Sequence, residues 1–225
     1  MEKQYDIIIV GAGPMGIFTA YELMDKCPDQ KVLLIEQGYD IYNRRCPILL
    51  KKTMKCPKNK KGESGCYPSC SLTSGFGGSG AYSDGKFNIT SEFGGWMTDY
   101  LSDDVVLDLI KYVDSINLKH GAPHEVTNPY TEEVLNIERR GIAKGLKLLR
   151  SEVRHLGTEV NLQVLKNIYE ELKKHIDFAF LTKVEDIVVE DGKAKGVILT
   201  NGEIINSKFV VLGVGRSGAE WLCKT

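Results

Sequence analysis

The sequence lacks any apolar stretch long enough to cross a bilayer: no uninterrupted aliphatic run exceeds the four residues of Ile7–Val10, against the roughly 20 that a spanning helix needs. It also lacks a charge excess of either sign. Lys and Arg number 29 and Asp and Glu 30, a formal net charge of −1. No general positive field is present to hold nucleic acid or an anionic membrane, and neither is expected as a partner. The first residues carry Glu2 and Asp6 where a secretory signal would have a basic segment and an apolar core, so the expected location is the cytoplasm. Cysteine is sparse. Six in 225 residues cannot build the disulfide framework of a small secreted scaffold, and in a reducing compartment they are expected as thiols, redox groups or metal ligands. The excess is in glycine: 23 residues, nine of them between Gly62 and Gly95.

Asp6–Val10 is a short apolar run that enters Gly11-Ala12-Gly13-Pro14-Met15-Gly16, after which Ile17, Ala20, Tyr21 and Met24 recur with helical spacing. Cys27-Pro28-Asp29-Gln30 breaks that helix, and Lys31–Glu36 reads as a second buried strand. The first 36 residues thus predict a βαβ unit. Arg44 to Gly62 holds eight Lys or Arg, two Pro and no acid, which predicts a solvated basic loop. Ser64–Gly95 has too little periodicity for a regular element; with Tyr67, Phe76, Tyr82 and Phe87 interleaved, it predicts an ordered, glycine-dense functional loop. Helices are expected from Asp103-Asp104 through Ile116, from Glu132 to about Val153, and over Thr158–His175. Four short β-type runs close the chain: Val184–Val189, Ala194–Leu199, Glu203–Asn206 and Lys208–Val214. Asp191-Gly192 and Asn201-Gly202 separate them, predicting a three-stranded meander that feeds a final buried strand.

A lone GxGxxG is weak evidence. Here Gly11, Gly13 and Gly16 follow a strand, open a helix and precede Glu36 at the end of the next strand, and that conjunction is the fingerprint of dinucleotide binding. Gly11 permits the tight turn, Gly13 lets a pyrophosphate approach the backbone, and Gly16 lets helix pack on strand. Pro14 occupies the first helical turn, where a missing N–H costs nothing, and with Met15 it opens a helix whose N–H groups and dipole face the phosphates. The Glu36 carboxylate suits a ribose diol and repels a 2′-phosphate. NAD and FAD both place an ADP moiety on such a unit, so the motif alone leaves the dinucleotide open.

The Gly75–Lys86 loop is a candidate cradle, since glycines let a main chain lie flat against a cofactor. Gly77 and Gly78 are its proposed backbone contacts and Ser83, Asp84 and Lys86 its candidate polar ones; were the dinucleotide FAD, Ser83 and Asp84 would suit the ribityl chain and Lys86 negative charge on the reduced flavin. His155 is a second candidate for proton transfer, with Thr158 as the expected cap of the next helix. Cys46, Cys56, Cys66 and Cys70 lack a paired CxxC pattern; plain thiols are expected, with a metal site or a Cys66/Cys70 redox pair as alternatives.

A simple NAD dehydrogenase would continue with regular βα repeats. The glycine loop, helices and meander ending in Phe209-Val210-Val211-Leu212-Gly213-Val214-Gly215 instead look like the glutathione-reductase-like class of flavoproteins. Four blocks sharpen this: Gly75–Lys86 (GFGGSGAYSDGK), Lys111–Asp114, His155–Glu159 and Gly215–Leu222 (GRSGAEWL). In this order they resemble the signature blocks of the uncharacterised FAD-dependent dehydrogenases. That resemblance implies a Rossmann-like FAD/NAD(P)-binding α/β fold over residues 1–225, with a parallel sheet, a meander crossover and an inserted helical region at 101–156. It implies FAD as cofactor, NAD(P)H as a candidate electron donor and a small-molecule substrate. Gly213 and Gly215 join the cofactor contacts, with Val184 facing the adenine. Members of that family are longer and return late to the FAD domain. The chain is therefore expected to be an N-terminal part whose C-terminal half is a candidate partner. An NAD-dependent dehydrogenase and a non-catalytic dinucleotide-binding fragment are the alternatives.

Overall fold

The computed structural model describes residues 3–58 and 65–224; Glu2 and the part of the basic and glycine-rich stretches at 59–64 lie outside them. In chain order the elements are β1 (Gln4–Val10), α1 (Pro14–Lys26), β2 (Val32–Ile35), β3 (Lys86–Ile89), α2 (Asp103–Lys119) and α3 (Glu132–Ile142). They continue with β4 (Glu152–His155), α4 (Thr158–Leu172), β5 (Asp177–Ala179), β6 (Val184–Glu190), β7 (Lys193–Leu199), β8 (Ile204–Leu212) and α5 (Ala219–Leu222). Two compact units result: residues up to Tyr82 with those from Leu165 onward, and Ser83–Val164. The division falls within α4.

The first unit is built on a six-stranded sheet of order β5-β2-β1-β8-β7-β6. The β5, β2, β1 and β8 strands run parallel, and β8, β7 and β6 antiparallel. Central parallel strands are covered on both faces and need continuous apolar runs; accordingly Ile7–Val10 and Val32–Ile35 are buried throughout. Helix α1 follows β1 and buries Gly16, Ile17, Ala20 and Tyr21. The meander forms as expected, but Glu203–Asn206 and Lys208–Val214 are not separate strands. They merge into β8, whose start pairs with β7 (Ile198↔Ile204) and whose remainder pairs with β1 (Val10↔Leu212). Ser207 does not interrupt it: the residue is buried, and its hydroxyl donates to the Phe209 carbonyl at 3.0 Å. Strand β5, which the sequence does not announce, is only three residues long and is made by its register with β2 (Ile35↔Ala179).

In the second unit β3 and β4 pair antiparallel, Lys86 opposite His155 and Ile89 opposite Glu152. The loop expected from Ser64 to Gly95 therefore contains a strand, and a 3-10 turn at Gly78–Tyr82 precedes it in the first unit. Helix α2 starts with Asp103 and Asp104, where the dipole favours acids. Helix α3 is capped by Thr131, whose hydroxyl accepts the Val134 N–H at 3.3 Å. It stops at Ile142 rather than near Val153, because Leu146 N–H returns to the Gly141 carbonyl at 2.9 Å and Gly145 adopts φ +73°. Beyond it Arg154 lies in β4 and forms a buried bidentate pair with Asp114 of α2, both N–O distances 2.7 Å. Thr158 is the first residue of α4 rather than its cap. The Gly157 carbonyl accepts the Asn161 N–H at 3.0 Å and takes the cap position. Among the described residues no helix is long and apolar enough to cross a membrane.

Candidate functional site

The turn after β1 is held by backbone contacts that only glycine permits. Gly11 has φ +103°, and a Cβ there would strike the Gly213 carbonyl at the exit of β8; a Cβ at Gly16 would strike the Gly11 carbonyl. Gly13 differs from both. Its φ is an ordinary −74°, and a Cβ there would meet nothing within 4 Å. The protein thus needs Gly11 and Gly16 for its own packing, whereas Gly13 fronts open space. No side chain caps α1 and no acid lies in its first turn, so its N-terminal N–H groups and positive dipole end remain available to an anion.

Glu36, at the exit of β2, is buried and tied three ways. Its Oε2 accepts the Ala12 N–H at 2.9 Å, and its Oε1 accepts the N–H groups of Gly38 at 2.8 Å and Gly75 at 3.0 Å. A carboxylate offers about four acceptor positions, so one, on Oε2, remains for a ribose hydroxyl, but the group is also a staple joining the turn to the glycine loop. Gly77 N–H donates to the Ala12 carbonyl at 2.8 Å, and a Cβ on Gly78 would lie 3.2 Å from Gly13 Cα. The loop is therefore laid directly against the turn.

Arg44 is the exception in the basic segment, whose other described cations, Arg45, Lys51, Lys52, Lys55 and Lys58, are exposed as expected. It is 3% exposed and donates to the carbonyls of Ser71 at 3.0 Å, Phe76 at 2.6 Å and Leu72 at 2.9 Å. Its guanidinium lies 5.1 Å from the centre of the Tyr82 ring, and the Tyr82 hydroxyl donates to the Arg44 carbonyl. Burial lowers its pKa, opposed by Tyr82, Glu36 and Cys70. The loop segment Ser71–Phe76 is thus gripped by a cation through its carbonyls and by Glu36 through an N–H. Behind it Phe76, Tyr169, Phe178 and Phe180 form a ladder of ring contacts with centroids 5.1–5.4 Å apart.

The turn, Glu36 and the glycine loop open onto one cleft of about 760 Å³, within the roughly 300–1,000 Å³ of small-molecule sites. Of the residues singled out in the sequence, Gly11, Gly13, Pro14, Met15 and Glu36 line it together with Gly78, Val184, Gly213 and Gly215. Gly16 and Gly77 do not line it; they act through the backbone packing described above. The sequence reading missed Lys183, Arg216 and Trp221, which also line the cleft. Arg216 and Trp221 stand in the Gly215–Leu222 block but are not read there as site residues, and Lys183 is a lone residue before β6.

Ser83, Asp84, Lys86 and His155 belong to the second unit. Strand pairing brings three of them together: Lys86 Nζ lies 2.8 Å and His155 Nε2 3.8 Å from Asp84 Oδ2. The Lys86 hydrogen bond holds the Asp84 carboxyl below its ordinary range. Cys46, Cys56, Cys66 and Cys70 are all free thiols. Among the described residues no three His, Cys, Asp or Glu side chains group as a metal site. Burial pushes the Cys66 thiol up. Burial acts the same way on Cys70, but N–H groups of Leu72 and Thr73, the Thr73 side chain and Arg44 outweigh it and the net shift is downward.

A mostly parallel sheet carrying this turn defines an α/β protein of the Rossmann-like FAD/NAD(P)-binding fold. Among solved structures the chain is similar to the L-amino acid deaminase of Proteus vulgaris, with 15% identity, TM-score 0.52, and 96% of this chain and 48% of that one covered. It is similar to the glycine oxidase of Bacillus cereus, with 14% identity, TM-score 0.52, and 98% and 58% covered. A 3-ketosteroid-Δ4-(5α)-dehydrogenase of Rhodococcus jostii gives 12% identity, TM-score 0.54, and 94% and 46% covered. The FAD-containing monooxygenase EthA of Mycolicibacterium smegmatis is 42% identical over 41 residues, 18% of this chain and 8% of that protein. The chain spans about half the length of these solved proteins. No family model matches it.

Proposed function

We propose that the chain carries the cofactor-binding part of an FAD-dependent oxidoreductase acting on a small-molecule substrate in the cytoplasm. The observation that carries this reading is the convergence of the Gly11–Gly16 turn, Glu36 and the Gly75–Gly78 loop on one cleft. The residues fit a dinucleotide: open space in front of Gly13, an uncapped helix start, a buried carboxylate with spare acceptor capacity, and the cations of Lys183 and Arg216 in the wall. The α1 N–H groups and the two cations would hold the pyrophosphate, and Glu36 the adenosine ribose. FAD, when bound, supplies the hydride or electron-pair chemistry.

The similarity of 41 residues to an FAD-containing monooxygenase supports the choice of flavin, as do the four blocks resembling FAD-dependent dehydrogenases. Of the three solved neighbours two are named for amino acids and one for a ketosteroid, so the fold does not set the substrate. We further propose that residues 83–164 are an inserted unit within the cofactor domain. Lys86 and His155, sharing the carboxylate of Asp84, would handle protons, with NAD(P)H as a candidate electron donor.

Reconstitution with FAD followed by gel filtration tests the reading. Retained flavin absorption, with FAD and not NAD released on denaturation, is expected. Retention of NAD alone, or of neither, overturns it. Turnover with an artificial electron acceptor over a panel of amino acids, hydroxy acids and NAD(P)H then identifies the donor class.

A further inference from the structure

Trp221 is the one aromatic residue among the described residues that line the cleft. It is half-buried and packs against the core cluster beside Leu212 and Val214. Its indole N–H is committed, donating to the Glu185 carbonyl at 2.7 Å. That bond fixes the ring at the start of β6, next to Lys183 and Val184, which line the same wall. The other flank of this segment is Glu36, whose carbonyl accepts the Thr182 N–H at 3.1 Å. The acid at the end of β2 marks the ribose position in a dinucleotide fold, and the base is bonded to that ribose. With its polar edge already used, the indole can offer a base only its π surface and apolar contact.

We infer that Trp221 stacks on the purine base of the bound nucleotide and makes the cleft selective for adenosine over a pyrimidine nucleoside. The inference rests on the dinucleotide reading above and deepens it. Trp221 is a binding residue that sets specificity, and it has no part in the redox step.

The chain has two tryptophans, and Trp96 is 79% exposed in the other unit. Trp96→Phe therefore leaves Trp221 as the sole indole reporter without touching the cleft. Titrating Trp96→Phe with ADP and with UDP, which share ribose and diphosphate, is the experiment, with calorimetry alongside. ADP is expected to quench Trp221 emission and to bind about tenfold more tightly than UDP. Trp221→Leu is expected to weaken ADP binding about 5- to 100-fold, and Trp221→Phe to retain it within about threefold, since a phenyl ring still stacks. ADP binding without any change in Trp221 emission, or unaltered affinity in Trp221→Leu, overturns the stacking role and leaves the dinucleotide reading standing. Absence of ADP binding to the native chain overturns both.

Discussion

Glu36 Oε1 accepts the backbone N–H of Gly75 at 3.0 Å, joining the end of β2 to a loop 39 residues away. The same carboxylate bonds Ala12 in the turn and Gly38 beside it. An acid whose sequence position suggests a ribose ligand therefore also assembles the site in which that ribose would sit. Structure and binding are coupled at this residue, and at Gly13 they separate.

Replacing Glu36 with Ala leaves three buried N–H donors without their acceptor. Each unsatisfied buried group costs about 1–3 kcal/mol, part of which entering water recovers. The expected outcome is a stability loss of about 3 kcal/mol by urea unfolding together with weaker FAD binding. Weaker binding at unchanged stability would mean that the three bonds contribute nothing to the fold.

Gly13→Ala and Gly16→Ala should part company. A methyl at Gly16 collides with the Gly11 carbonyl, while one at Gly13 meets no protein atom within 4 Å. Gly16→Ala is expected to destabilise the chain by about 1–3 kcal/mol. Gly13→Ala is expected to alter stability by less than about 0.5 kcal/mol yet to lower FAD affinity, because the methyl occupies space in front of the turn. Thermal unfolding and FAD titration of the two variants check this.

Arg44→Lys keeps a charge but loses the planar fork that reaches three carbonyls. Lysine and arginine are not equivalent at such a site, and orphaned buried acceptors cost about 1–3 kcal/mol. A loss of that size is expected by denaturant unfolding, with hydrogen exchange rising over residues 71–76. Exchange unchanged in that segment would show that Arg44 does not hold the loop.

Asp6 sets a contribution to the acid limb. Lys208 Nζ lies 2.7 Å from Oδ1 and the Lys31 N–H donates to Oδ2 at 2.8 Å. The Lys208 hydrogen bond leads in holding the carboxyl below its ordinary 3.8. The folded state therefore binds its proton less readily than the unfolded state. The stabilisation is present above about pH 4 and is lost as pH falls through the folded value. In unfolding measurements from pH 7 to pH 2, Asp6→Asn is expected to start less stable than wild type, the gap closing below about pH 4.

Cys70 and Cys66 should differ in reactivity. Local N–H groups and Arg44 lower the Cys70 thiol, while burial raises Cys66, and the thiolate is the nucleophile. Iodoacetamide at pH 7.5 followed by peptide mass mapping is expected to label Cys70 before Cys66.

By itself the sequence determined the elements whose cause is local. The Ile7–Val10 run, the glycine turn and the i, i+4 apolar residues of α1 are set by periodicity and by backbone conformations open only to glycine. The Asp191-Gly192 and Asn201-Gly202 turns likewise announce the meander. Tertiary structure alone decided everything that depends on partners distant in the chain. Arg44 reads as one more cation in a basic stretch until the carbonyls of Ser71, Leu72 and Phe76 surround it. The β5 strand exists because β2 offers it an edge, and β4 replaces the end of an expected helix because β3 pairs with it and Asp114 receives Arg154. The same holds for Trp221, placed in the cleft wall by a bond to a carbonyl 36 residues earlier. A one-dimensional pattern records the preferences of each residue; it does not record which buried donor will find which acceptor, and desolvation makes that pairing obligatory only once the chain has closed.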